Sequence, residues 1–178
     1  MLHIRQGDIT KVSADFVVNA SNTSLILGSG VSMAFKRHCG HLLQQQMNEA
    51  LHSLGHPLDP GDVVATSAGK AANFRYVLHV AVINYRRGIP KSDKNPTIQT
   101  IETSLHNVEA YLQWYYERYK QRITLAIPLL GCGVGGLEKE KVIMCYKDFF
   151  SRKTTFQCNV IIVGYTEEDY RSLAKYLK

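Results

Sequence analysis

With 178 residues, 45% of them hydrophobic and 20% charged, the chain has the length and balance of one globular domain with a buried core, which excludes a disordered polymer. No apolar run approaches the roughly 20 residues that span a bilayer, and Met1-Leu2-His3-Ile4-Arg5 lacks the basic-then-apolar layout of a secretory leader, so a cytoplasmic location is expected. The formal charge of +6 favours anionic partners (nucleotides, nucleic acid or modified protein), and Cys39, Cys132, Cys145 and Cys158, with no C-x-x-C pair, read as reduced thiols.

Leu2–Gln6 and Asp15–Ala20 are expected strands, parted by a turn at Gly7-Asp8. The glycine-rich turn Leu27-Gly28-Ser29-Gly30-Val31 comes next. Val31, Ala34, Phe35 and His38 then recur at helical spacing and predict a helix from Gly30 to about Arg37. A second helix is expected over Leu42–Ser53, ended by Gly55-His56-Pro57 and Asp59-Pro60-Gly61. Asp62–Ser67 and Arg75–Ile83 read as strands, and the polar, basic stretch Arg86–Asn95 as a surface loop. Asn95-Pro96 predicts a helix start, with Asn as cap and Pro at the first helical position. The stripe Ile98, Ile101, Leu105, Val108, Leu112 and Tyr115 keeps three-four spacing through that helix. A strand at Ile123–Ile127 leads into the second glycine-rich turn, Leu130-Gly131-Cys132-Gly133-Val134-Gly135-Gly136. A helix from about Glu138 to Phe150 and a strand at Gln157–Val163 follow, and Thr166-Glu167-Glu168-Asp169 reads as the acidic, capped start of a terminal helix.

This alternation favours a layered α/β fold with a buried sheet, in which ligands bind outside the carboxyl ends of the strands. Both glycine turns lie at such ends. A glycine turn at a helix start lets backbone N–H groups approach an anion, and the helix dipole favours negative charge there. Two of them suggest a diphosphate held from both sides; the alternative is that these glycines only permit tight turns. Gly131-x-Gly133-x-x-Gly136 matches a dinucleotide fingerprint literally. Its context does not: the unit is not the first βαβ, and Ser151–Cys158 holds no Asp or Glu for the ribose. Neither turn carries the lysine of a P-loop. Asp8 is placed to accept from an exocyclic amine, or merely to cap a turn. Asn22 is placed to grip a ribose hydroxyl, or merely to make an Asx-turn.

Together Gly7-Asp8-Ile9-Thr10, Val18-Asn19-Ala20-Ser21-Asn22, Leu27-Gly28-Ser29-Gly30-Val31 and Ile127-Pro128-Leu129-Leu130-Gly131-Cys132-Gly133-Val134-Gly135-Gly136-Leu137 resemble the macrodomain family, in order and spacing, nearly end to end. The resemblance implies one macrodomain over residues 1–178, a three-layer α/β/α sandwich around a mixed, mostly parallel sheet. It also implies ADP-ribose as ligand, free or attached to a protein or nucleic acid. Asp8 would meet the adenine amine with the Ile9 backbone beside it, and Asn22 the distal ribose. Ser29, Gly30 and Val31 would offer amides to one phosphate. Gly131, Cys132, Gly133, Val134 and Gly135 would wrap the other phosphate and the distal ribose. Ala20, Gly28, Ser32 and Leu130 flank these contacts, and Tyr165 matches a position where an aromatic ring packs near adenine, or else packs within the fold.

Many relatives hydrolyse bonds to ADP-ribose or deacetylate O-acetyl-ADP-ribose. One branch has an aspartate where this chain has Ser32. A second uses a lysine nucleophile with an aspartate where this chain has Gly135, but His79-Val80-Ala81-Val82-Ile83 offers no lysine. Viral relatives place a histidine where this chain has Leu27. A binding module is therefore expected, with an unusual hydrolase or deacetylase as the alternative and Asn22 and Ser32 as the only catalytic candidates. A serine hydroxyl is a poor general base. No cofactor or metal is expected: His38-Cys39-x-His41 and His52-x-x-x-His56 lack a full ligand set. Cys132 has no histidine base identifiable beside it. The basic loop Arg86–Lys94 could contact nucleic-acid phosphates, though it lacks interleaved aromatics to stack on bases.

Overall fold

Both faces of the central strands are covered, which is why they read as nearly continuous apolar runs. The computed structural model describes residues 1–177. Its strands are β1 (Leu2–Gln6), β2 (Ala14–Asn22), β3 (Val63–Ser67), β4 (Phe74–Ile83), β5 (Ile123–Pro128) and β6 (Cys158–Gly164). They form one sheet in the order β1-β6-β5-β2-β4-β3. The pairings are parallel, except that β3 runs antiparallel to β4. The helices are α1 (Gly30–Cys39), α2 (His41–Leu54), α3 (Ile98–Tyr119), α4 (Lys139–Phe150) and α5 (Glu167–Leu177), with short 3-10 turns at Ile9–Lys11 and Lys91–Lys94.

Alternation along β2 sends side chains into two separate cores. Phe16 and Val18 pack with Leu105 of α3, Ile143 of α4 and Leu173 of α5. Val17 packs with Phe35 of α1 and Met47 of α2 on the other face. The outcome is the expected α/β/α sandwich with a mixed, mostly parallel sheet. Among the described residues no helix is long and apolar enough to cross a membrane.

Three expectations are corrected. β2 runs on to Asn22, so that residue ends the strand instead of following it. The cap of α3 is Thr97, not Asn95: the Thr97 hydroxyl accepts from the Thr100 amide at 3.2 Å, and the Thr100 hydroxyl accepts from the Thr97 amide at 3.2 Å. That reciprocal pair outcompetes Asn95 and leaves Pro96, which is buried, outside the helix. Finally, the second glycine turn does not open a helix. It closes on itself, Leu137 N donating to Gly131 O at 3.0 Å and Gly136 N to Gly133 O at 3.1 Å, and α4 starts only at Lys139.

Candidate functional site

The chain leaves β2 for α1 on one face of the sheet and leaves the adjacent β5 for α4 on the other. Such a divergence opens a crevice at the strands' carboxyl ends. A cleft of about 1,100 Å³ lies there, and it touches the ends of β2, β4, β5 and β6 and the turn after β1.

Its first wall is the loop from Asn22 to Gly30. Asn22 Oδ1 accepts from Ser24 N at 3.1 Å and Ile26 N at 3.2 Å, while Nδ2 donates to Ile26 O at 2.9 Å. The amide thus builds the loop, and one of its two N–H bonds is left for anything else. Gln44 of α2 clamps the same loop, accepting from Leu27 N at 2.7 Å and donating to Leu25 O at 2.8 Å. Ser29 caps α1 through its backbone only and makes no side-chain cap bond. The first amides of α1 therefore face the cleft without an internal partner.

The opposite wall is the second glycine loop, and two contacts fix its shape. Buried Tyr146 of α4 donates to Pro128 O at 2.6 Å and accepts from Leu130 N at 3.1 Å. Pro96 supplies the second: a Cβ on Gly135 would lie 2.7 Å from Pro96 Cγ and 2.6 Å from Gly131 O. Gly131 itself sits at φ +76°, in the left-handed region. The amides of Gly131, Gly133, Val134 and Gly135 donate to nothing among the described residues. Leu130 departs from expectation. Its side chain is fully buried in the core and does not line the cleft. The other residues the resemblance implies, from Asp8 to Tyr165, all do.

Asp8 caps the first 3-10 turn, its Oδ1 accepting from Thr10 N at 2.9 Å and from the Thr10 hydroxyl at 2.8 Å. Oδ2 accepts from nothing among the described residues. Tyr165 is 76% exposed at the rim, which rules out the packing role. Nearby, Lys139 is paired with Asp169 at 2.7 Å and Glu168 at 3.2 Å. Hydrogen bonds to Asp169 and Glu168 raise its pKa. Thr166 and Asp169 cap α5 reciprocally, as the sequence pattern predicts. Burial, with the Asp169 charge, pushes the Cys132 thiol up to about 12, the opposite of what a nucleophile needs.

A buried polar chain runs behind the first wall. Ser32 Oγ lies 3.0 Å from both Asn19 Oδ1 and Ala20 O and can donate to either. Asn19 Nδ2 lies 3.0 Å from His79 Nδ1, and His79 Nε2 lies 2.9 Å from the Thr66 hydroxyl. An amide nitrogen only donates, so His79 Nδ1 accepts from Asn19 Nδ2 and the ring carries its proton on Nε2. Burial pushes the His79 pKa down to about 3, so the ring stays neutral. Ser32 is thus tethered, with no base beside it. Ser21 Oγ, also buried on this wall, has no hydrogen-bond partner among the described residues.

The sequence carries no sign of Tyr146 or Gln44 as parts of the site, and marks Pro96 only as a helix start. All three act through contacts between distant segments.

Residues 18–146 match the model of the family described as Macro domain. An uncharacterized protein of Sulfolobus acidocaldarius is 31% identical over 179 residues, which cover 97% of this chain and 87% of that protein. A Salmonella typhimurium protein named O-acetyl-ADP-ribose deacetylase is 29% identical over 187 residues, covering 99% of this chain and 93% of its own. Among solved structures, an Oceanobacillus iheyensis macrodomain with ADP superimposes with a TM-score of 0.81 at 22% identity, over 99% of this chain and 89% of that one. A Trypanosoma brucei macrodomain in complex with ADP-ribose gives 0.74 at 18% identity, over 99% of this chain and 69% of that one.

Proposed function

We propose, from the premise that this chain belongs to the Macro domain family, that it is a binding module for ADP-ribose, free or carried by a protein or nucleic acid. One observation carries the reading: two loops with unpaired amides face a single cleft from opposite sides, with a carboxylate at one end. A diphosphate suits the two loops. Asp8 Oδ2 suits the adenine amine, Tyr165 the adenine ring, and the remaining Asn22 N–H suits a hydroxyl or phosphate oxygen. A ribose diphosphate with an adenine at one end uses every one of these groups.

The base-recognition part is tested with an analogue whose hypoxanthine lacks the exocyclic amine. Wild-type protein should bind it about tenfold more weakly than ADP-ribose, because Asp8 then loses its donor. In Asp8→Ala, ADP-ribose should fall to the analogue's level and the preference should vanish. A preference that survives Asp8→Ala would move the adenine elsewhere.

A second reading, slow deacylation of O-acetyl-ADP-ribose, is favoured by the name of the Salmonella relative. The chain's own groups oppose it: Ser32 is tethered, the Cys132 thiol stays protonated, and Asn22 spends most of its amide on its own loop. Release of acetate that disappears in Asn22→Ala would reverse the order of the two readings.

A further inference from the structure

The cleft extends beyond the two glycine loops and Asp8. At about 1,100 Å³ it exceeds the roughly 300–1,000 Å³ of ordinary small-molecule pockets. Its lining continues past the turn that Asp8 caps. There Lys11, Arg37, His38 and Lys70 line it, brought together from the first 3-10 turn, the end of α1 and the β3–β4 connection. Lys11, Arg37 and Lys70 pair with no carboxylate among the described residues. Complementing the negative end of the α1 dipole accounts for Arg37. It does not account for two lysines converging there from other segments.

Part of this shelf is held in place. Asn73 Nδ2 donates to Thr10 O at 2.9 Å and Val12 O at 2.8 Å, which uses both its hydrogens. Asn73 Oδ1 must then accept, so His38 Nε2 donates to it at 2.8 Å. That leaves His38 Nδ1 to accept from the Lys11 ammonium at 3.3 Å. Lys70 N donates to Cys39 O at 2.9 Å, and its stem lies against Gly40, so it too is fixed to the end of α1.

We propose that Lys11, Arg37 and Lys70 form a phosphate subsite for a ligand that continues beyond its adenosine. The further phosphate sits on the adenosine ribose, either as a single group or as the diphosphate of the next unit in a chain. The assignment rests on the proposed orientation of ADP-ribose, adenine toward Asp8.

Calorimetry at physiological salt with four ligands tests it: ADP-ribose, its 2′-phosphate on the adenosine ribose, its 1″-phosphate on the distal ribose, and a dimer joined through the adenosine ribose. The 2′-phosphate, the dimer or both should bind about tenfold tighter than ADP-ribose, the yield of a charge-assisted contact. Which of the two gains identifies the source. The gain should vanish in Lys11→Ala/Arg37→Ala/Lys70→Ala, while ADP-ribose itself changes by less than about threefold under screening. If ADP-ribose binds and neither adenosine-side ligand gains, the subsite is wrong and the cleft reading stands. An equal gain from the 1″-phosphate overturns it as well, since general attraction to a chain of charge +6 then suffices. If none of the four binds, the nucleotide reading falls and takes the subsite with it.

Discussion

Gly135→Ala should lose about a hundredfold in affinity for ADP-ribose, corresponding to two charge-assisted hydrogen bonds. Its new methyl would stand 2.6 Å from Gly131 O and 2.7 Å from Pro96 Cγ. Neither neighbour yields easily: one is backbone and the other is a ring in the linker that leads into α3. Relief requires the loop to move, and the loop's value lies in where its amides point. Overpacking of this kind also costs about 1–3 kcal/mol of stability. Gly133→Ala is the control, since nothing lies within 4 Å of a Cβ there. Thermal unfolding should separate the pair, with Gly133→Ala close to wild type and Gly135→Ala lower. Equal affinity and stability in Gly135→Ala and wild type would mean the second loop is not held by Pro96.

The second large effect is a pH dependence of stability seated in His79. Burial holds its pKa near 3, against about 6.5 for an unfolded histidine. Between those values the unfolded chain takes up a proton that the folded chain refuses. Stability is therefore complete above pH 6.5 and is lost as pH falls toward 3. The slope is about 1.4 kcal/mol per pH unit, so pH 5 should cost about 2 kcal/mol relative to pH 7. Urea denaturation at the two pH values measures it. His79→Gln should be less stable at pH 7, because Asn19 and Thr66 lose their partner, yet flatter between pH 7 and 5. A wild type as stable at pH 5 as at pH 7 would show that the ring takes up a proton in the folded state.

What was legible in the sequence follows from how local each cause is. The glycine turns announce themselves through residue type alone, since a turn with φ +76°, as at Gly131, calls for glycine. The stripe from Ile98 to Tyr115 is legible because one helix face meets one core. Asn22 is a middle case. Its residue type allows both a ribose contact and an Asx-turn, and only the positions of Ser24 N and Ile26 N show how far the turn consumes it. Pro96 was misread as a helix start because its partners, Gly131 and Gly135, lie far along the chain. His79 sits in an apolar strand with nothing local to mark it, and its partners come from β2 and β3. The basic loop Arg86–Lys94 drew attention by density of charge, whereas the cations of the cleft are scattered in sequence. One of the loop's arginines, Arg86, is committed to Asp59.

In the proposed function, the two loops together hold one diphosphate beside an adenine. Calorimetric titration of the wild-type protein with ADP-ribose, set against AMP and NAD, tests it most directly. A dissociation constant near 1 μM, about 8 kcal/mol, is the expected result for ADP-ribose, with AMP and NAD clearly weaker. No binding of ADP-ribose at millimolar concentration, or AMP binding equally well, would contradict it.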